Sequence, residues 1–324
     1  MLIVQTPLRV SFLGGGTDFD DFSHDHEGAV LSTAINRYTT VFVKERFDDL
    51  IYVNYRKKEI AAKVDDIEHE LVREAMRLTG VEKGMEISTF VDVREGSGLG
   101  SSSSITVGLL QALYTCKGEV KDTEILARQA CQIEIDVLGK PIGRQDQYIA
   151  AYGGFRFITF HNSGVTLENI HLTADLKRRL SERLLLFFTG RTRKSEDILT
   201  EQKANIKERL QLLKELKEMA HSGREFIVEG KLDDFGRLLH EGWLCKRRLA
   251  SKISDGELDE LYEAALKAGA LGGKVCGAGG GGFLLLYCLP ERRDDVRSAL
   301  QRLEEIPFQL ERDGSKVVFN YRRA

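Results

Sequence analysis

Glycine and serine are concentrated in one segment, Gly96-Ser97-Gly98-Leu99-Gly100, which is followed by four consecutive serines, Ser101 to Ser104. The start of a helix leaves backbone N–H groups unpaired and carries a partial positive charge, and glycines let an anion approach the backbone closely. Serine hydroxyls in such a loop cap the helix, bond phosphate oxygens or contact Mg²⁺. The segment therefore predicts a phosphate-binding loop. The alternative is an ordinary tight turn with a serine N-cap, which the run of four serines disfavours.

Two common nucleotide motifs are excluded in this loop. No lysine follows the glycines, so the GxxxxGK[ST] pattern is absent, and Ser101 and Ser102 stand where GxGxxG would need its last positions. The loop is neither a P-loop nor a dinucleotide-binding fingerprint.

Two further glycine runs could also approach a ligand. Residues 277–282 (GAGGGG) precede an apolar strand, and because such a run costs folding entropy it indicates close backbone contact with a ligand or another loop, or a simple hairpin or bulge. Residues 14–18 (GGGTD) end the first predicted strand and deliver a hydroxyl and a carboxylate, Thr17 and Asp18. That pair suits recognition of a polyol, although Asp18 could instead cap the next helix.

The elements that must position these loops alternate along the chain. β-Branched and aromatic residues predict strands, and apolar residues at intervals of three or four predict helices. The predicted strands are 2–13, 38–44, 87–93, 184–188, 282–288 and 316–321, and the predicted helices are 102–114, 123–138, 206–216, 256–268 and 292–302.

Composition excludes several classes of protein. The chain has 324 residues, 42% apolar and 30% charged, with 47 Lys and Arg against 50 Asp and Glu, and a net charge of -3. This is an ordinary globular composition without the basic field that nucleic-acid binding needs. Five scattered cysteines without a CxxC pair argue against a disulfide framework and a zinc site. With no signal peptide at residues 1–7 and no apolar run long enough to span a membrane, we expect a cytoplasmic protein that binds neither nucleic acid nor membrane.

Three segments taken in order resemble the three motifs of GHMP kinases: residues 7–18 (PLRVSFLGGGTD), 96–104 (GSGLGSSSS) and 277–282 (GAGGGG). The resemblance covers nearly the whole chain. The GGGTD form of the first motif, residues 143–148 (GRQDQY) and residues 272–274 (GGK) look most like the D-glycero-D-manno-heptose 7-phosphate kinases of that superfamily.

The resemblance implies an α+β, two-domain GHMP kinase fold. Residues 1–155 would form a ribosomal-S5-like N-terminal ATP-binding domain and residues 156–324 a ferredoxin-like C-terminal domain, with ATP, Mg²⁺ and a sugar phosphate in the cleft between them. By the same resemblance, Asp146 engages the acceptor hydroxyl, while Arg9 keeps Asp146 ionised and stabilises the transferring group. Ser101 and Glu134 would hold the metal. The plainer alternatives are a turn carboxylate at Asp146 and an exposed helix carboxylate at Glu134.

The remaining binding residues follow from the glycine motifs and from the density of basic residues. The nucleotide-binding candidates are Gly96, Gly98, Leu99, Gly100, Ser101, Ser102, Ser103, Gly277, Gly279 and Gly280. The substrate-binding candidates are Gly15, Gly16, Thr17 and Asp18 for hydroxyl groups, and Arg191, Arg193 and Lys194 for a phosphate. Lys246-Arg247-Arg248 is the alternative phosphate site, and either basic run could be a solvated helix face.

Three functions stay open on the sequence alone. The first is a heptose 7-phosphate kinase that acts at the anomeric hydroxyl, the second is a GHMP kinase for another sugar such as fucose, and the third is a sugar sensor without catalysis. Because Arg9, Asp146 and all three glycine motifs are present, the sequence favours an enzyme. The run His24-Asp25-His26 has no third ligand at a convincing spacing, so a surface loop is preferred there to a metal site.

Overall fold

The computed structural model describes residues 1–94, 96–192 and 195–321. Within them the strands form two sheets. The strands are β1 (Leu2–Leu13), β2 (Gly28–Glu45), β3 (Ile51–Asn54), β4 (Lys58–Ala61), β5 (Met85–Val91), β6 (Phe155–His161), β7 (Gly164–Asn169), β8 (Leu184–Phe188), β9 (Ala270–Val275), β10 (Phe283–Cys288), β11 (Glu304–Glu305) and β12 (Lys316–Asn320).

The helices lie mainly between β5 and β6 and between β8 and β9. They are α1 (Asp20–His26), α2 (Glu70–Thr79), α3 (Ser101–Cys116), α4 (Thr123–Cys131), α5 (Gln145–Tyr152), α6 (Ala174–Ser181), α7 (Ser195–Ala204), α8 (Leu210–Val228), α9 (Leu232–Lys246), α10 (Gly256–Lys267) and α11 (Arg293–Ala299). No helix in the described part of the chain is long and apolar enough to cross a membrane.

The long strand β2 organises the larger, eight-stranded sheet. The main order is β12-β1-β2-β5-β3-β4, and the first half of β2 also pairs with β6, which pairs with β7. All pairings are antiparallel except that of β3 with β5. β1 ends beside the first half of β2, so Gly14, which follows Leu13, lies against Ala29 near the start of β2.

Helix α3 packs against β1 and β2 and carries the serine run at its first turn. The apolar residues predicted from helical spacing, Ile105, Leu109, Leu110 and Leu113, are buried. Gly100 caps the helix in the left-handed conformation at φ 77°, which glycine adopts without the steric cost of a Cβ. The N-terminus of α3 is thereby directed into the cleft that contains the glycine loops.

The predicted helix 123–138 is regular only as far as Cys131. It continues as a π-helical turn from Gln132 to Val137, a local widening that often occurs at functional sites. This turn contains Glu134, whose side chain is fully buried. The expectation that Glu134 could be an exposed helix carboxylate is therefore wrong.

The smaller sheet has the order β11-β8-β10-β9 and is wholly antiparallel. Its strands β8 and β10 are apolar and buried on both faces, one face packing in the core with β1 and β2 residues and the other in the core with α7, α8 and α10. Phe12 of β1 stacks on Phe155 of β6 and meets the ring of Phe235 of α9 edge-on. A continuous apolar core therefore joins the two halves of the molecule.

Sheet membership does not change at residue 155. Strands β6 and β7 continue the larger sheet as far as Asn169, and β12 returns to it from the far end of the chain. The reason is that β6 pairs with the free edge of the first half of β2. Residues 156–169 and 316–320 therefore pair in the same sheet as the strands of the range 1–155.

Candidate active site

The second and third glycine runs cross each other at backbone contact. A Cβ built on Gly98 would lie 2.5 Å from the carbonyl oxygen of Cys276, and one built on Gly277 would lie 2.6 Å from Cα of Gly98. The backbone of Phe283 also donates to Ser97 O at 3.1 Å. Backbone contacts with the run at 277–282 thus constrain the conformation of the candidate phosphate-binding loop, residues 96–100.

An open cleft of about 660 Å³, here called the outer cleft, lies in front of this crossing. It is bordered by the first turn of α3, by the π-helical turn and by α7. Its lining residues include Arg9, Gly96, Gly98, Gly100, Ser101, Ser102, Ser103, Glu134, Asp146, Leu199, Gly277 and Ala278. Seven of the ten predicted nucleotide-binding residues line this cleft, and no lysine stands in the loop itself.

The other three predicted nucleotide-binding residues do not line the outer cleft. The side chain of Leu99 is in the apolar core, and its carbonyl accepts from the backbone of Arg9 at 3.0 Å. Gly279 and Gly280 lie against Ile253, whose carbonyl accepts from the Gly280 N–H at 2.8 Å and would be 2.6 Å from a Cβ on Gly279. These glycines allow close backbone packing, and the ligand side of their loop is formed by Gly277 and Ala278.

Arg9 and Asp146 form a bidentate ion pair at the inner end of the cleft. Arg9 Nε donates to Asp146 Oδ1 at 2.6 Å and Nη2 donates to Oδ2 at 2.5 Å. The third arm, Nη1, donates to Gly98 O at 2.5 Å, which ties the pair to the glycine loop. Burial lowers the pKa of Arg9, but the attraction of Asp146 outweighs that effect and raises it overall. The two residues predicted to be catalytic are thus together, with the Asp146 side chain 22% exposed.

A second, smaller space of about 80 Å³, here called the inner pocket, is also lined by this pair. Its walls come from β1, from the first glycine run, from the start of α5 and from the ends of α7 and α9. Its lining residues include Arg9, Ser11, Gly15, Gly16, Asp18, Gln145, Asp146, Leu199, Gln202, Lys246 and Gly277. Asp146 and Arg9 therefore stand at the junction of the outer cleft and the inner pocket.

Asp18 has the position predicted for a substrate-binding carboxylate. It is 2% exposed, and it accepts from Gly16 N at 3.0 Å and from Gln145 Nε2 at 3.1 Å. Burial and, after it, the neighbouring charge of Asp146 raise the pKa of Asp18. Gly15 and Gly16, also predicted here, line the same pocket.

The prediction that Thr17 contacts the substrate conflicts with its surroundings. The side chain is fully buried, and its hydroxyl donates to Gly14 O and Ala29 O and accepts from Ala29 N, at 2.8 to 3.0 Å. Backbone groups thereby use the one O–H of this hydroxyl and one of its two acceptor positions. Thr17 holds the first glycine run against β2 instead of facing the inner pocket.

The carboxylate of Glu134 accepts hydrogen bonds from the serine run at the start of α3. Ser102 Oγ donates to Glu134 Oε1, and Gln147 Nε2 donates to Oε2 at 2.8 Å. Burial raises the pKa of Glu134, and its hydrogen bonds, that from Ser102 first, oppose the shift. Ser103 also hydrogen-bonds this carboxylate, and Ser101 lines the same cleft as Glu134.

A magnesium ion fits this donor set. Mg²⁺ prefers oxygen ligands and in nucleotide sites is held by one or two protein groups together with substrate phosphates and water. One buried carboxylate beside a serine hydroxyl at the helix N-terminus supplies such groups. Within the described residues no cluster of three or more His, Cys, Asp or Glu side chains is arranged for a metal, at His24 and His26 or elsewhere.

The basic residues predicted to bind a phosphate have different surroundings. Arg191 pairs with Asp255 at 3.0 Å and with Glu257 at 3.1 Å, so its charge is already neutralised. Arg193 and Lys194 lie outside the described residues. In the alternative run, Arg247 pairs with Asp259, whereas Lys246 points into the inner pocket.

Sequence reasoning missed Ser11, Gln145 and Gln202 as pocket residues and gave Lys246 only as one of a basic run. Ser11 lies two residues beyond Arg9 on β1, and alternate residues of a strand share a face, so period-two spacing could have identified it. Lys246 is the last residue of α9 and is distant in sequence from Ser11 and Gln145. No local pattern distinguishes it from the neighbouring Arg247 and Arg248.

Known proteins match this chain over most of its length. Residues 60–154 match the GHMP kinases N terminal domain and residues 224–305 the GHMP kinases C terminal domain. The chain is 30% identical over 313 residues to a D-glycero-alpha-D-manno-heptose 7-phosphate kinase of Campylobacter jejuni, covering 92% of each protein. It is 29% identical over 330 residues to a bifunctional fucokinase/GDP-fucose pyrophosphorylase of Arabidopsis thaliana, covering 93% of this chain and 31% of that protein. The crystal structure of a D-glycero-D-manno-heptose 1-phosphate kinase from Bacteroides thetaiotaomicron has a TM-score of 0.83 at 26% identity, covering 99% of this chain and 100% of that one.

Proposed function

The chain belongs to the GHMP kinase family, and we propose that it phosphorylates the anomeric hydroxyl of D-glycero-D-manno-heptose 7-phosphate to give the 1,7-bisphosphate. As a member it is an ATP-dependent phosphotransferase that acts on a sugar hydroxyl. The heptose phosphate and the position of transfer are the proposed part. A heptose phosphate is supported by the names of two relatives, the C. jejuni protein being named for the 7-phosphate and the B. thetaiotaomicron protein for the 1-phosphate. The choice of the 7-phosphate follows the C. jejuni relative, and the position of transfer is taken from the motif resemblance.

The observation that carries the proposal is the position of Asp146 and Arg9 between the two spaces. Transfer of a phosphoryl group needs the nucleotide on one side of the reacting atoms and the acceptor on the other, roughly in line. The outer cleft has the glycine loop and the helix N-terminus for a triphosphate, and the inner pocket has hydrogen-bonding groups for a sugar. Asp146 borders both, so a hydroxyl in the inner pocket would meet its carboxylate next to the γ-phosphate.

The outer cleft must neutralise a triphosphate without a P-loop lysine. The free N–H groups and dipole of α3, with the hydroxyl of Ser101, provide donors for phosphate oxygens. Mg²⁺, held when bound by Glu134 with an oxygen of Ser101 or Ser102, would supply further positive charge for the β- and γ-phosphates. Arg9 adds a fixed guanidinium beside the reacting centre.

Every bond and proton in the proposed reaction can be accounted for with ATP, the acceptor hydroxyl and Asp146. The acceptor oxygen forms a bond to the γ-phosphorus while the bond to the bridging oxygen of ADP breaks, and the hydroxyl proton passes to Asp146. Arg9 holds the Asp146 carboxylate by both oxygens, so that its orientation is fixed before substrate binds. A carboxylate offers about four lone-pair positions, so the two bonds from Arg9 leave room for the acceptor hydroxyl.

A fucokinase-like activity is the second candidate, because the Arabidopsis protein that matches 93% of this chain is named a fucokinase. A sugar sensor without catalysis would not need the ion pair that Arg9 forms with Asp146, so the formed pair favours an enzyme. A cytoplasmic location, where ATP and sugar phosphates are both available, is also part of the proposal.

A coupled ATP-consumption assay over a panel of sugars tests the proposed function. The panel consists of D-glycero-D-manno-heptose 7-phosphate, mannose 6-phosphate, fucose and galactose, each with MgATP at fixed concentration. We expect the heptose phosphate to give the highest kcat/KM. A higher value for fucose would favour the second candidate, and no ATP consumption with any sugar would contradict the proposal.

A further inference from the structure

The inner pocket contains polar atoms that the chain itself leaves without partners. Ser11 is 6% exposed, and its hydroxyl has no hydrogen-bond partner among the described residues. The side-chain oxygen of Gln145 is likewise buried and unpaired in that part of the chain. Buried polar atoms in folded proteins nearly always have partners, so two of them lining one pocket indicate a polar ligand that satisfies them.

A third polar group, the ammonium of Lys246, enters the same pocket from the end of α9. Lys246 is 6% exposed and donates to Gly277 O at 2.6 Å, which uses one of its three N–H groups. Burial and, after it, the nearby charge of Arg9 lower the pKa of Lys246 to about 8. The side chain is therefore kept in an unfavourable environment beside the reacting centre.

The side chains of Ser11, Gln145 and Lys246 converge on Gly15, Gln145 with the amide nitrogen that also donates to Asp18. A Cβ built on Gly15 would lie 3.7 Å from Ser11 Oγ, 3.8 Å from Gln145 Nε2 and 3.8 Å from Lys246 Nζ. All three are ordinary contact distances, so a methyl group would fit there without displacing protein atoms. The absence of a side chain at Gly15 thus leaves a space the size of a small group, surrounded by hydrogen-bonding atoms.

The charges around this space balance. Arg9 and Lys246 contribute two positive charges, and Asp18 and Asp146 contribute two negative ones. A pocket with no net charge does not suit a phosphate dianion, whereas donors and acceptors in alternation suit neutral hydroxyl groups. At about 80 Å³ the pocket is also smaller than the roughly 300–1,000 Å³ of sites that enclose a whole ligand. It therefore suits the hydroxyl-bearing end of an acceptor whose remainder extends outward.

We infer that Lys246, Ser11 and Gln145 form a three-point clamp for neighbouring hydroxyl groups of the acceptor, with Lys246 as a specificity-determining residue that contacts the substrate. This inference rests on the proposed function. It assigns Lys246 to the hydroxyl end of the sugar, and not to a phosphate group as in the alternative considered from the sequence. The clamp orients the acceptor so that the hydroxyl to be phosphorylated meets Asp146.

Two matched lysine substitutions test the inference. Lys246→Met removes the ammonium but keeps an unbranched chain, and Lys117→Met removes another ammonium that donates to a backbone carbonyl, Thr79 O at 2.8 Å, and does not line the inner pocket. Because a charge-assisted hydrogen bond is lost, Lys246→Met should raise the KM for heptose 7-phosphate by roughly 10- to 100-fold. The KM for ATP should change by less than about threefold, and Lys117→Met should leave the KM for the sugar near the parent value.

Gly15→Ala provides a variant with little risk to folding, since its backbone is not in the left-handed region and its methyl group meets no close atom. It should raise the KM for the sugar at least about tenfold by occupying the space that the hydroxyls need. The remote substitution Gly256→Ala, with no atom within 4 Å, is its control.

The 2-deoxy and 3-deoxy analogues of heptose 7-phosphate identify the contact. If Lys246 binds one of these hydroxyls, the parent enzyme should lose about as much kcat/KM with that analogue as Lys246→Met loses with the full sugar, and the variant should no longer distinguish the two. An unchanged sugar KM in Lys246→Met would overturn the inference, as would a parallel rise in the KM for ATP, because the lysine would then act through Gly277. If the parent enzyme phosphorylates no sugar in the panel, the proposed function fails instead, and the inference falls with it.

Discussion

Asp146 is the one carboxylate that borders both the outer cleft and the inner pocket, within the part of the chain that the structure describes. Its ion pair with Arg9 uses both carboxylate oxygens and also reaches the glycine loop through Gly98. Such an arrangement is expected of a carboxylate that must be held in one orientation toward the acceptor hydroxyl.

Asp146→Asn should lower kcat by at least about 10²-fold while the affinity for a non-hydrolysable ATP analogue stays within a few-fold of the parent value. The reason is that an amide cannot accept the hydroxyl proton in the transition state, although it keeps the size of the carboxylate. Steady-state kinetics and calorimetry measure the two quantities.

The control is Asp48→Asn, because Asp48 forms a similar bidentate pair with Arg46 far from the two spaces, at 2.6 and 2.8 Å. It should keep the parent kcat. Turnover of Asp146→Asn within a few-fold of the parent would contradict the role assigned to this residue.

The lowered pKa of Lys246 predicts a pH dependence. The groups that surround its ammonium are Arg9, Asp18, Asp146, Lys274 and Cys276. Above a pH of about 8 the ammonium loses its proton, so kcat/KM for the sugar should fall there, whereas the KM for ATP should not follow the same curve. Lys246→Met should lack this descending limb. If kcat/KM of the variant still falls at the same pH, the fall would have to be assigned to the titration of another group.

The lowered pKa of Lys246 also affects stability, and here the effect of raising the pH is favourable, in contrast to its effect on kcat/KM. Because the pKa of Lys246 is lower in the folded chain than in the unfolded chain, the unfolded chain binds more protons between pH 8 and the ordinary lysine value. The contribution of Lys246 to the free energy of unfolding therefore rises with pH through that window.

At the scale of elements, the crossing of two glycine runs fixes the phosphate loop. Gly98 has a φ of 84°, and its Cα side faces the carbonyl of Cys276 too closely for any side chain. The loop conformation therefore depends on a contact between segments nearly 180 residues apart.

Gly98→Ala should destabilise the fold and weaken ATP binding together. The left-handed conformation alone costs a non-glycine residue about 1–2 kcal/mol, and the clash with Cys276 O adds to it. Gly230→Ala has the same conformational cost at φ 72° but meets no atom within 4 Å, so the difference between the two variants isolates the crossing. Denaturant unfolding and calorimetry with an ATP analogue measure both effects. Equal losses in the two variants would show that the crossing contributes nothing.

Some features could be predicted because a local sequence pattern or a motif indicates them. They are the glycine runs, the helix after the serines, and the pair of Arg9 with Asp146. Other features depend on partners distant in sequence. Thr17 is held in the interior by the backbone of Ala29 in β2, which accepts from its hydroxyl, and Lys246 faces the pocket because α9 ends there. The π-helical turn that buries Glu134 changes the register of a helix by one residue, which apolar spacing does not reveal.

At the scale of the whole molecule, the two sheets share one core and the active site lies where they meet. The division expected at residue 155 reflected a change of pattern at Gly153-Gly154, but β6, β7 and β12 all pair within the larger sheet. Such pairing depends on which strand edges are free elsewhere in the chain, and the sequence of a strand does not indicate which strand it will pair with. The family match, by contrast, covers both halves and agrees with the fold.

The central claim is that this fold transfers a phosphoryl group to the anomeric hydroxyl of heptose 7-phosphate. The most direct measurement is phosphorus NMR of the purified product formed from MgATP and D-glycero-D-manno-heptose 7-phosphate. The account predicts two phosphate resonances of equal intensity, one of them coupled to the anomeric proton, with one ADP formed per sugar. A second phosphate coupled to any other sugar proton, or the recovery of unchanged heptose 7-phosphate, would contradict it.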